Sequence, residues 1–151
     1  MVKLWFVKPT SGVQFPLTSK EKMIQLLTKV TVIDNTGAKI ATCIKLLNPK
    51  GRKTANIGDI ILVAIKSTTA NSKVTRGGVY KAIVVRTKAG VKNPSQYLKF
   101  DTNSVALIKQ AQSKKKYDFA PIGTRIKGPI SSVIQRKTGC MRIHYLAKSI
   151  L

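Results

Sequence analysis

The side chains able to do acid–base, nucleophilic or metal chemistry are few in this sequence. Its acids are Glu21, Asp34, Asp59, Asp101 and Asp118; its histidine is His144, and its cysteines are Cys43 and Cys140. No two acids are spaced as a general acid and base, and His144, between Ile143 and Tyr145, has no sequence neighbour to complete a triad. Zinc takes about four ligands in clustered spacing, which two separated cysteines and one histidine do not supply. Three acids stand in turn contexts, "DNTG", "GDI" and "FDTN", where an Asp side chain usually bonds its own backbone. "RGG" (76–78) lacks the Lys-Ser/Thr that follows at phosphate-loop spacing. The cysteines read as buried thiols in a reducing compartment. The expectation is a protein without an active site, cofactor or metal.

The cations carry the signal. Lys and Arg number 28 against 5 acids, a net charge of +23. Ordinary solubility needs only about 2–8 charges on a small domain, and self-repulsion at this level calls for an anionic partner. A membrane binder gathers its cations on one face of an amphipathic helix, and no apolar run approaches the ~18 residues of a spanning helix. Here the cations recur along the whole chain beside Gly or Pro, in loops and at strand ends, as expected for a polyanion gripped from several sides. Lys50, Arg52, Lys53, Lys73, Arg76, Arg86, Lys88, Lys92 and Lys127 are the predicted phosphate ligands, with Lys114–Lys116, Arg136 and Lys137 in further clusters. Gly lets backbone approach a phosphate, and Lys and Arg supply charge and hydrogen bonds. Few aromatics interleave with these loops, so recognition of folded RNA by shape and backbone is expected over single-strand stacking.

The elements that must hold these cations are mostly strands. Residues 1–22 stand apart: Pro9, Gly12 and Pro16 break regular structure, while Trp5, Phe6 and Phe15 suit an extended arm anchored on a neighbour. The segment lacks the apolar region of a secretory signal and the arginines of a mitochondrial transit peptide. Strands are predicted over 29–33, 39–47, 58–66, 79–87, 97–100 and 105–108, with turn signals between them. The run "GDIILVAIK" (58–66) reads as the central, buried strand. Short strands at this spacing predict a mainly β fold, a small barrel or sandwich. A two-turn helix capped by Ser131 is expected within 129–137 and another within 145–151, with a late strand around Arg142.

Five ordered motifs carry a resemblance: "MIQLLTKVTVIDNTGAK" (23–39), "IGDIILVAIK" (57–66), "KAIVVRTKAGVKNP" (81–94), "FDTNSVALI" (100–108) and "PIGTRIKGPI" (121–130). In order and spacing the chain from Met23 to Leu151 resembles the universal large-subunit ribosomal protein fourteen family. That resemblance implies a five-stranded β-barrel with a protruding β-ribbon and short C-terminal helices over 23–151, with 1–22 as an N-terminal extension outside it. It implies a structural constituent of the large subunit that binds large-subunit ribosomal RNA and meets small-subunit RNA at an intersubunit bridge. Large-subunit proteins three and nineteen are the implied neighbours. The ribosome-silencing factor is the implied partner of a surface that includes Thr124, Arg125 and Arg142. Departures are Gly77-Gly78 in place of Gly-Asp, Ser95-Gln96 at the ribbon tip, a longer segment over 109–119, and the arm itself. The last two suggest a mitochondrial relative, ahead of a plastid or bacterial one. The competing readings are an RNA-processing enzyme on a small barrel, which lacks paired acids here, and a free RNA chaperone, which would not co-sediment with large subunits in high salt.

Overall fold

A computed structural model of the chain describes residues 23–47, 51, 53–92, 97–110, 119–138 and 140–151. Four strands come first: β1 (Lys29–Val32), β2 (Ala38–Leu46), β3 (Ile60–Thr68) and β4 (Val79–Arg86). Each pairs antiparallel with the next. After a two-stranded ribbon of β5 (Val91–Lys92) and β6 (Tyr97–Leu98), β7 (Ser104–Gln110) pairs antiparallel with β4 and parallel with β1. The β1–β7 pairing closes a five-stranded barrel, as expected from the resemblance. β8 (Phe119–Pro121) extends the sheet from β7, and β9 (Ile126–Ile130) pairs with a last strand, β10 (Ala147–Ile150). Between β9 and β10 lie two six-residue helices, α1 (Val133–Thr138) and α2 (Met141–Leu146).

The described residues form two cores. Inward residues of alternating strand positions, Val30, Ala41, Cys43, Ile61, Val63, Ile65, Ala82, Val84, Val105 and Leu107, fill the barrel interior. A second core lies outside it, where Ile83 and Val85 of β4 and Ala106 and Ile108 of β7 meet Ile126, Ile130, Ile134 and Ile143 of the C-terminal segment. That segment roofs one flank of the barrel. The strands buried on both faces are therefore β4, whose residues 82–85 are all buried, and β7, whose residues 104–108 are all buried, and not the predicted 58–66 run. β3 alternates instead, its inward Ile61, Val63 and Ile65 fully buried and its outward Leu62 and Ala64 only partly so.

The C-terminal prediction divides. Ser131 Oγ accepts the Val133 N–H at 3.3 Å and opens α1 where a capped helix was expected. The late strand and the last helix are exchanged: residues 141–146 form the helix and 147–150 the strand. Ile143 goes into the second core, while Met141 is 47% exposed. Alternation therefore does not set which way Arg142 faces. It is exposed on a helix whose buried residue is Ile143.

Asp34 does more than close its turn. Its carboxylate accepts the Thr36 N–H at 3.1 Å and the Thr36 hydroxyl, and its other oxygen accepts the Leu107 N–H at 2.9 Å. A turn aspartate thus ties β1 to β7. Both cysteines are buried; the Cys140 thiol donates to the Phe119 carbonyl at 3.1 Å, and burial pushes the Cys43 thiol pKa up, as suits a packing role.

Candidate nucleic-acid interface

The predicted phosphate ligands lie at both ends of the barrel. At one end, the loop from Thr69 to Gly78 is pinned by its backbone. Thr69 and Lys73 donate their N–H groups to Gly37 and Thr36 carbonyls at 2.8 Å each, Gly77 donates to Ile65 at 2.8 Å, and Val74 is buried beneath. The side chains of Lys73 and Arg76 are left exposed. At the other end Lys53 is exposed beside Ala55, which pairs with Ile24 in an isolated bridge. Lys88 is exposed there too, while its N–H is held by Asn103 Oδ1 at 2.9 Å. Nine-residue β3 separates the two ends by about 30 Å at ~3.3 Å per residue. The local rule is shared: polar backbone is satisfied inward, and the cation is presented outward. Lys50 and Arg52 lie outside the described residues. Lys92 lies in β5, and its side chain is outside the description.

Arg86 departs from this rule. Its Nε donates to the Pro129 carbonyl at 2.8 Å and its Nη2 to the Lys127 carbonyl, and its guanidinium sits 5.9 Å from the centre of the Phe100 ring. Burial pulls its pKa below the usual arginine value. The two donors span Gly128, whose φ of 79° is left-handed and where any Cβ would come within 2.5 Å of Nη2. Predicted as a phosphate ligand, Arg86 is engaged as a strut between β4 and β9. Its indirect effect is to fix the strand from which Lys127 projects, exposed. Lys137 is similarly engaged, donating from Nζ to the Ile57 carbonyl at 2.9 Å. At Gly90 the space a Cβ would occupy is filled by the Tyr97 ring, so the glycine lets the ribbon close.

The predicted partner surface is built from Asn35. Its Oδ1 accepts the N–H groups of Thr124 at 2.7 Å and Arg125 at 3.3 Å, and its Nδ2 donates to Thr124 Oγ1 at 2.8 Å. This clamp leaves Thr124 and Arg125 exposed at the mouth of an open groove of about 770 Å³. Lys127 and Gly128 continue one wall, and Leu146 and Lys148 belong to the other. Arg142 is exposed but does not line the groove. Sequence reasoning missed Asn35, which it read as turn punctuation, and Lys148, which it placed in a helix. Three cations on two parallel-paired segments make a groove suited to phosphate oxygens or carboxylates.

A family profile described as ribosomal protein L14p/L23e matches residues 23–151. The chain belongs to this family. Its members are structural proteins of the large ribosomal subunit and are generally non-enzymatic, which gives this chain its structural role and its place on the ribosome. The L14p/L23e assignment implies a ribosome context of ribosomal RNA and ribosomal proteins.

Proposed function

We propose that the protein binds large-subunit ribosomal RNA through both ends of its barrel and contributes to an intersubunit bridge. The observation that carries this reading is the separation of exposed Lys73 and Arg76 from exposed Lys53 and Lys88, with the Lys73 and Lys88 N–H groups held from within. Two anchored cation clusters on one rigid barrel hold two RNA segments in register, releasing counterions at each. The groove bearing Thr124, Arg125 and Lys148 supports a protein or small-subunit contact, with the silencing factor as its partner and Arg142 beside it. Large-subunit proteins three and nineteen are the proposed neighbours. The 22 residues outside the family match support a mitochondrial ribosome as the home of the chain, with barrel and arm as separate units. Recovery with mitochondrial large subunits tests that placement.

The RNA reading is tested by measuring affinity of the full chain for large-subunit ribosomal RNA across a salt series. The logarithm of affinity should fall steeply with that of salt, by roughly 0.7–0.9 per phosphate contact. Replacing Lys73 and Arg76 by Ala should flatten the slope by about two contacts' worth without lowering the melting temperature. A salt-independent affinity, or a slope unmoved by the double variant, refutes it.

A further inference from the structure

Among the described residues nothing covers the flank of the barrel opposite the roof, and that flank is apolar at its centre. Outward residues of β2 and β4 include Ile40 and Ile44, each 42% exposed, and Val79, 55% exposed. The registers make them neighbours on one sheet face: Thr42 stands opposite Ala64, and Ala64 opposite Val79. Exposed Lys29, Lys39, Lys45 and Lys66 rim this stripe.

One edge of the stripe is extended by a strained turn. Thr28 donates its N–H to the Gln25 carbonyl at 3.2 Å, closing a turn whose central residues are Leu26 and Leu27. Leu27 has φ of 63°, the one non-glycine residue with positive φ among those described, and it is 79% exposed. The Leu27 N–H bonds the Cys43 carbonyl, which sets this turn beside Ile44. A branched side chain held in left-handed backbone and turned to solvent is costly twice over, in strain and in hydration. Such outliers persist where the side chain has a task.

The turn is also where residues 1–22 join the barrel, since the chain is fixed at Ile24 by its bridge to Ala55. That segment contains "LWFV" (4–7) and "VQFPL" (13–17), two uncharged apolar stretches. An extended chain at about 3.3 Å per residue reaches on the order of 25 Å between Phe15 and Met23, and further to Trp5. Three strands at ~4.8 Å spacing make a face only about 15 Å wide. Tethering gives the arm an effective concentration of about millimolar, which a separate partner must outcompete.

We propose that residues 1–22 fold back onto this face, with Trp5, Phe6 and Phe15 covering Leu27, Ile40, Ile44 and Val79. Both arm and rim are basic, and their repulsion is screened by salt. Docking of the arm therefore strengthens as salt rises, opposite to phosphate binding.

Trp5 is the one tryptophan of the chain, so its fluorescence reports the arm directly. The full-length protein is compared with Ile44→Lys/Val79→Lys in the full chain, using acrylamide, a neutral quencher. The wild type should show blue-shifted emission and shielding that is independent of dilution and increases with salt. The double variant should show red-shifted emission and loss of shielding, with an unchanged circular dichroism spectrum. Leu27→Gly, which relieves the backbone while removing the side chain, serves if the double variant folds poorly; it should retain or raise the melting temperature and weaken the shielding. Full accessibility of Trp5 in the wild type overturns the proposal. So does shielding that survives the variants, or shielding that vanishes on dilution, which would assign the face to a second copy of the chain.

Discussion

The two flanks of the barrel are made of the same kinds of strand and have different fates. On the β4–β7 flank the outward side chains are buried under β9, α1 and α2, and Ile83, Ile130, Ile134 and Ile143 are fully enclosed. On the β1–β3 flank the outward positions hold Ile40, Ile44 and threonines beside lysines, open to solvent. A strand's outer face thus says whether something covers it: β4 reads "AIVV" through its centre because both sides are used. β2 interrupts its apolar residues with Lys39, Thr42 and Lys45 because one side is wet. The roof makes a second core, while the bare flank leaves apolar surface for another segment.

The contrast is broken most directly by truncation. Ile83→Ala removes a fully buried side chain from beneath the roof and should cost about 2–5 kcal/mol. Ile44→Ala, on the bare flank, should stay near ~0.5 kcal/mol. Denaturant unfolding of both variants, at one ionic strength, decides it. Equal losses would mean that the flanks are not energetically distinct.

A middle-sized effect sharpens the account of how the roof is fastened. Arg86→Ala should cost about 1–3 kcal/mol, because two carbonyls of β9 lose a charged donor. Amide exchange should quicken in residues 126–130 ahead of β1–β3. Lys88→Ala, with its side chain in solvent, should leave stability unchanged. If both variants behave alike, Arg86 is another surface cation.

The smallest effect lies within the roof. Burial lowers the His144 pKa below its usual value, and its Nε2 is buried without a hydrogen-bond partner among the described residues. The unfolded chain therefore binds that proton more readily than the folded one. Stability is complete above the ordinary histidine pKa of about 6.5 and falls as pH drops through it. His144→Gln should flatten melting temperature against pH over that window. An unchanged slope would place the effect elsewhere.

Much of the barrel was legible in the sequence. β1, β2, β4 and β7 follow from short β-branched runs bounded by "DNTG", "NPKG" and "NSKVTRGG", since local turn chemistry and period agree there. The roof was not legible. β9 contains Gly128, which reads as a turn residue, and Pro129, which opens the segment expected to hold a helix, and they form a strand because β10 and the Arg86 strut hold them. Short segments such as 141–146 fit helix and strand alike until contact decides. The candidate site divides the same way. Lys73, Arg76 and Lys88 lie in loops and are exposed, as their context predicts. Arg86 looked equivalent at a strand end, but its carbonyl partners are 41 and 43 residues away in sequence, where no local pattern reaches.

The β1–β7 seam has a consequence for how the molecule is made. It closes the barrel with two parallel register pairs, Thr31 with Ser104 and Val32 with Val105. Side chains reinforce it: Thr31 and Ser104 hydroxyls meet at 2.8 Å across 73 residues of sequence. Parallel pairing at such separation demands a large loop-closure entropy before it returns any contact energy. The hairpins β1–β2, β2–β3 and β3–β4 can form as soon as each pair of strands leaves the translating ribosome. The ring stays open until Ser104 and Val105 emerge, and its outer covering comes later still. A nascent chain therefore passes through a stage in which a four-stranded open sheet exposes the future interior of the barrel. In that interval a chaperone has its clearest chance to engage, and an arrested chain its greatest hazard of aggregation.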